Sequence, residues 1–291
     1  MTNALQTLIL GLLLGGVYAL MASGLTLVFG VMRIVNLAHA AFVTVGAYVA
    51  YGVFTAFRID PLLSILVTMP ALFVLGALLY RLLYAGIEGS HRFVEMTVLV
   101  GFALALITEG LLVTLFTGIY RSTRPWYSTA SFELGPLFIP EGQLYASGVS
   151  VVLLALLWVF LHFTRTGYAI RATSQNRTSA QIVGVNVRRI STVAFGVGLA
   201  LAGASGSLMS FLFTFFPSGH WQWIAILLSL IVLGGLGSLR GALVGAFGLA
   251  VIATFVSTWL GQTWSPLTFF LALFVILLVR PHGIFGKELE A

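Results

Sequence analysis

The chain has 291 residues, of which 59% are hydrophobic and 8% charged. Soluble globular chains average about 45–50% apolar and about 25% charged residues, so this composition excludes a soluble enzyme, a disordered chain and a nucleic-acid-binding protein. The net charge of +6 therefore reads as an orientation signal of a membrane protein; the absence of cysteine excludes disulfides and thiolate chemistry, and no HExxH or zinc-ligand His spacing supplies a metal site.

A helix of about 20 residues crosses a bilayer core about 30 Å thick. Apolar runs of that kind occur at 5–30, 40–57, 61–85, 96–119, 144–163, 192–217, 224–237, 241–259 and 265–279. They predict an all-α, polytopic transmembrane helical bundle of eight or nine membrane segments. The run at 224–237 is short enough to be a half-helix, or part of a broken or re-entrant one. The runs leave space only for short loops, so residues 1–291 read as a single transmembrane domain. Their unbroken apolarity argues against a β-barrel, which alternates apolar and polar residues. Residues 1–30 carry no Lys or Arg, unlike the positive start of a signal peptide, and read as a true first helix.

Alternating the segments places Arg33, Arg81, Arg92, Arg165, Arg171, Arg177, Arg188, Arg189, Arg240, Arg280 and Lys287 on one side, against Arg58, Arg121 and Arg124 on the other. By the positive-inside rule the side with 11 of these 14 residues is cytoplasmic. The N-terminus is then outside, the C-terminus inside, and 120–143 is the main external loop.

Small residues recur every four positions at Gly11, Gly15, Ala19 and Ser23, at Gly198, Ala202, Gly206 and Ser210, and at Gly241 and Gly245. Such stripes let membrane helices approach closely.

The segment 165–189 holds five arginines and no acid. Thr173 or Ser174 can cap a short helix there, Gly184 can end it in the left-handed conformation, and Ala180 with Val183 can form a small apolar face. The segment is either a solvated basic loop or an amphipathic helix that docks into a groove on a partner protein.

These residues resemble a known family. The segment 165–186 resembles the coupling loop of the permease subunits of ATP-binding-cassette importers, in the branched-chain amino acid (LivH-like) family. The opening stretch from Gly15-Gly-Val-Tyr-Ala-Leu to Asn36-Leu-Ala-His39, the segment Gly234-Gly-Leu-Gly-Ser238-Leu-Arg-Gly241 and the closing Arg280-Pro-His-Gly-Ile-Phe-Gly286 resemble the same family. The resemblance implies one permease domain in a bacterial inner membrane, with a cytoplasmic coupling loop at 164–191. Within that loop Gly167, Arg171, Ala172, Arg177, Ala180, Val183 and Gly184 are the expected ATPase-coupling residues. It also implies a second permease subunit, two cytoplasmic ATPase subunits that bind ATP and Mg, and an external solute-binding protein. The chain itself binds no cofactor on this reading. Its one lysine, Lys287, lacks the Gly-x-x-x-x-Gly-Lys context of a P-loop. The implied substrate is a branched-chain or other hydrophobic amino acid; urea, short amides and aromatic acids are alternatives within the family.

Three residues are candidates for the translocation pathway. Asn36 and His39 lie three apart, on one face if helical, at the break between the first two runs; they line a cavity or satisfy an interfacial turn. Glu109 is the one acid inside an apolar run. An intramembrane ionisable residue is a functional candidate, although Glu109 can instead be protonated or bonded to Thr108 or a neighbouring helix. A stand-alone secondary transporter or channel would carry several such groups as ion sites or relays.

Overall fold

The computed structural model describes residues 2–88, 90–280 and 282–285; Lys287 and the closing Gly286 lie outside them. In chain order the helices are α1 (Thr2–Met32), α2 (His39–Phe57), α3 (Pro61–Leu79) with a π-helical extension Tyr80–Tyr84, and α4 (Phe93–Phe116). A hairpin of β1 (Ser131–Leu134) and β2 (Leu137–Pro140) follows. Then come α5 (Glu141–Phe163), the short α6 (Arg165–Gln175) and α7 (Arg177–Ile182), α8 (Val187–Leu212), α9 (His220–Gly234), α10 (Leu239–Leu260) and α11 (Ser265–Val279). Among the described residues nine helices are long and apolar enough to cross a bilayer. The molecule is thus a polytopic transmembrane helical bundle. The run at 224–237 falls mostly within the 15-residue α9. Residues 220–234 are continuous helix behind a 3-10 turn at Pro217–Gly219, and Gly235, at φ 99°, ends it.

Polar residues between the apolar runs decide where helices begin. Asp60 accepts the Leu62 N–H at 2.8 Å ahead of α3, with Pro61 in the first turn. Asn186 accepts the Arg189 N–H at 3.0 Å ahead of α8, and Ser238 accepts the Gly241 N–H at 3.1 Å ahead of α10. Each cap satisfies a backbone donor that the first helical turn leaves free.

The axis of the bundle is α8. In its most apolar stretch 89% of residues are buried, against 6% in α11. Three neighbours reach its backbone. A Cβ on Gly198 would lie 2.9 Å from the Gly24 carbonyl of α1. One on Gly203 would lie 2.7 Å from the Thr68 carbonyl of α3. One on Gly206 would strike the Val43 carbonyl of α2 and lie 2.6 Å from the Ala47 nitrogen. Ala202 is fully buried between these contacts. The Thr68 and Ser207 hydroxyls, 2.8 Å apart, bond α3 to α8 at the same level. The second stripe faces α10: at Gly11 and Gly15 a Cβ would lie 2.7 Å from Val251 Cα and 3.0 Å from Phe247 Cα.

Successive turns gather at two ends. At one, the Arg177 guanidinium meets Glu88 at 2.6 Å, and Ile284 and Phe285 N–H groups close onto the Leu233 and Gly234 carbonyls at 2.9 and 3.1 Å. This is the arginine-rich end. At the other, Arg121 pairs with Phe215 through the backbone, and the Gln6 amide clasps the Phe138 peptide as a neighbouring strand would. Tyr127 there donates to Asp60 at 2.7 Å; burial first, and then that carboxylate, push its phenol well above the usual range.

The close approach at α8 sets an expected outcome. Gly206→Ala should destabilise the purified chain by about 1–3 kcal/mol through overpacking against backbone. Gly248→Ala, where nothing lies within 4 Å, should be neutral or slightly stabilising. Thermal unfolding in detergent checks the pair; equal midpoints would show that α8 does not need the small residue.

Candidate functional site

The loop between α5 and α8 folds into an elbow of two helices. Thr164 caps α6 by accepting the Gly167 N–H at 2.9 Å. Gly167 sits against α5 so closely that a Cβ would lie 2.6 Å from Leu161 Cα. Arg171 lies over the Tyr168 ring at 5.0 Å, and Ala172 is half-buried one residue on. The expected cap at Thr173 or Ser174 is corrected. The Thr173 hydroxyl bonds back to the Ala169 carbonyl inside α6, and Asn176 caps α7 by accepting the Ser179 N–H at 2.9 Å. Gly184, at φ 87°, turns the chain back toward α8, a conformation glycine adopts without strain.

The expected apolar face of Ala180 and Val183 is also corrected. Ala180 is 3% exposed and packs within the chain, whereas Val183 is 77% exposed beside Ile182 at 81%. The apolar tip of the elbow is therefore Ile182 and Val183.

Arg177 does more than solvate the elbow. Its Nη2 donates to Glu88 Oε1 at 2.6 Å, and the buried Tyr80 hydroxyl donates to the same oxygen at 2.5 Å. Tyr80 and Tyr84 flank Phe195 of α8 with ring centroids 6.2 and 5.1 Å away. Side-chain contact thus runs unbroken from α7 through the π-helical end of α3 to the central helix. Sequence reasoning missed Glu88, which lies in a loop with no pattern around it.

Asn36 and His39 do not share a helix face, because residues 33–38 are not helical and α2 begins at His39. Both are 0% exposed. Asn36 Oδ1 accepts the Ala38 N–H at 3.1 Å, and its Nδ2 is buried with no partner. His39 Nε2 lies 3.2 Å from the Met21 carbonyl; a carbonyl only accepts, so that nitrogen carries the proton. The ring fills the notch at Gly24, where a Cβ would meet its Cε1 at 2.9 Å. His39 thus fastens the start of α2 to α1, while Asn36 closes the turn between them.

Glu109 lies on α4 and is held from α9. His220 Nε2 is 3.1 Å from Glu109 Oε2, and the Trp221 indole N–H donates to the same oxygen at 2.9 Å. His220 is fully buried, and Trp221 packs on Phe102 at 5.4 Å between ring centroids. His220 and Trp221 escaped sequence reasoning because they stand between two apolar runs; an ionisable residue three positions after Pro217 at the start of a span was the available signal.

The Glu88 contacts give an expected outcome. Glu88→Ala leaves the Tyr80 hydroxyl and Arg177 without their shared acceptor, at a cost of about 1–2 kcal/mol after discounting for the partly exposed arginine. Trypsin should then cut the elbow of the detergent-purified chain several-fold faster at Arg171 or Arg177. An unchanged cutting rate would show that Glu88 does not hold α7 in place.

The whole chain has relatives. Residues 7–279 match the family model described as the permease component of the branched-chain amino acid transport system. The high-affinity branched-chain amino acid transport system permease protein LivH of Salmonella typhimurium is 27% identical, covering 97% of this chain and 96% of the relative. The corresponding BraD of Pseudomonas aeruginosa is 27% identical at 97% and 96% coverage. The probable LivH of Methanocaldococcus jannaschii is 28% identical over 92% of this chain and 88% of its own. Among solved structures, PsaBC from Streptococcus pneumoniae in complex with Fab shares the fold, with a TM-score of 0.50 and 16% identity over 97% of this chain and 94% of that one. The chain is a multi-pass membrane protein that belongs to the branched-chain amino acid transport system permease family.

Proposed function

We propose that this chain is the membrane-spanning permease subunit of an ATP-driven importer that takes up branched-chain or other hydrophobic amino acids. The observation that carries this reading is the family match over residues 7–279, which spans every membrane helix from α1 to α11. On this reading the chain performs no catalysis. A second, homologous permease completes the pathway, two ATPase subunits bind ATP and Mg and supply the energy, and an external solute-binding protein delivers the amino acid.

The arginine-rich end faces the cytoplasm in this proposal, because 11 of the 14 basic residues fall on that side. The membrane is the bacterial inner membrane, with the N-terminus outside and the C-terminus inside. The elbow of α6 and α7 then projects toward the ATPase. Its exposed Ile182 and Val183 are the apolar anchor that would enter a groove. Arg171 lies nearer the elbow's base, where rim ion pairs contribute only about 0–1 kcal/mol. Arg177 is engaged with Glu88 and transmits movement to α3 and α8.

Two outcomes follow. With no native cysteine, a Ser174→Cys label should react with a membrane-impermeant maleimide in inside-out vesicles and not in intact cells; ready labelling of intact cells would invert the topology. Ile182→Asp should leave the permease folded but cut ATPase co-purification at least about tenfold, since it puts an unpaired charge into a docked apolar contact. Ala180→Glu should instead lower the yield of the permease itself, its side chain being packed inside the chain. An Ile182→Asp permease that retains its ATPase would move the docking surface elsewhere.

A further inference from the structure

We infer that Glu109, Trp221 and Phe102 form a recognition site for the ammonium group of the transported amino acid, on a face of α4 that borders water and not lipid. The inference rests on the importer reading above and deepens it. Glu109 lies seven residues before Phe116, the last residue of α4, which puts it about 10 Å inside that end of the helix. Its side chain is 23% exposed, so the carboxylate is not sealed within the chain. A carboxylate turned toward hydrocarbon is costly, and ionisable side chains within spans face the bundle interior or a water-filled cavity. Glu109 shows part of itself beyond the bundle of this chain, so the surface around it calls for water.

The carboxylate is also held ready. Both donors from α9 converge on Oε2, and among the described residues Oε1 has no hydrogen-bond partner. His220 cannot swing away, because it is 0% exposed and its other nitrogen is buried without a partner, leaving Glu109 as its polar anchor. Such support from a second helix fixes the direction in which Oε1 accepts. The Trp221 ring, whose N–H bonds Oε2, stands beside it with Phe102 packed on that ring, and aromatic faces attract an ammonium ion as well. Leu106 lies three residues before Glu109 on the same helix face and is 48% exposed, a wall for an aliphatic side chain. Together these groups suit a primary ammonium with an apolar tail, and the same molecule without its amino group keeps only the apolar contact.

The cysteine-free sequence makes a direct test possible. The complex isolated through a tag on this chain, with Leu106→Cys in this chain, which leaves Glu109 and both rings in place, is reconstituted in lipid nanodiscs, and the label is read on this chain alone. It is treated with a charged methanethiosulfonate reagent, and Leu271→Cys on α11, 53% exposed, serves as the lipid-facing reference. Leu106→Cys should react at least about tenfold faster, because only a hydrated thiol ionises readily. Millimolar L-leucine should slow that reaction several-fold, 4-methylpentanoate should not, and Glu109→Gln in the same chain should remove the protection by leucine. A Leu106→Cys rate no faster than the reference would place this face against lipid and overturn the inference. Equal protection by 4-methylpentanoate, no protection by leucine, or protection that survives Glu109→Gln in a monodisperse sample would overturn it as well. Because the labelling uses no ATP, it fails or succeeds apart from the importer reading, which fails on its own if no ATPase accompanies the chain.

Discussion

Everything else in this molecule hangs on the backbone-to-backbone approach of α8 to three neighbours. Inside a bilayer, burying apolar surface between helices gains little, because lipid is as apolar as leucine. Attraction has to come from dense contact, and contact is densest where no side chain intervenes. Gly198, Gly203 and Gly206 provide that on three sides of one helix, against α1, α3 and α2. A Cβ at any of them would press on a neighbour's main chain, which cannot step aside as a flexible side chain can. The result is a rigid column on which α1, α2 and α3 are fixed.

That rigidity gives the polar clusters their meaning. At the arginine-rich end, Glu88 joins α7 to the π-helical end of α3 through Arg177 and Tyr80, and the two tyrosines there rest on Phe195 of α8. A displacement of the elbow therefore meets the central helix through stiff aromatic contacts. Toward the other end, Glu109 joins α4 to the start of α9 through His220 and Trp221. Its helix packs loosely on the rest of the bundle, with a long apolar face left uncovered. One cluster ties a surface helix inward; the other holds a carboxylate near an open face. In the proposed transport cycle these are an input of motion and a contact with cargo.

Much of this architecture was legible in the sequence because membrane spans write themselves as long apolar runs, and because the small-residue stripes of α1 and α8 follow helical spacing. Local competition was harder to read. Thr173 and Asn176 are both good caps by composition. Thr173 spends its hydroxyl on the Ala169 carbonyl, so the helix boundary falls at Asn176. The sidedness of a six-residue helix such as α7 is set by what it packs on, so nothing local told that Ala180 turns inward while Val183 faces out. Glu88 and His220 were hidden for a related reason. Each stands in a stretch without periodicity, and only the fold brings it to a partner 89 or 111 residues away. Asn36 and His39 share a face only if their stretch is helical; the chain between α1 and α2 turns there instead, as the interfacial-turn alternative has it, and their roles separate.

Transport itself is the most direct test. The full complex, isolated through a tag on this chain, is placed in proteoliposomes with the solute-binding protein and radiolabelled leucine on the side of the β-hairpin. Leucine should accumulate only when MgATP is present on the side of the α6–α7 elbow, and accumulation should stop when a non-hydrolysable ATP analogue replaces it. Accumulation by this chain alone, driven by a proton or sodium gradient without ATP, would contradict the importer reading.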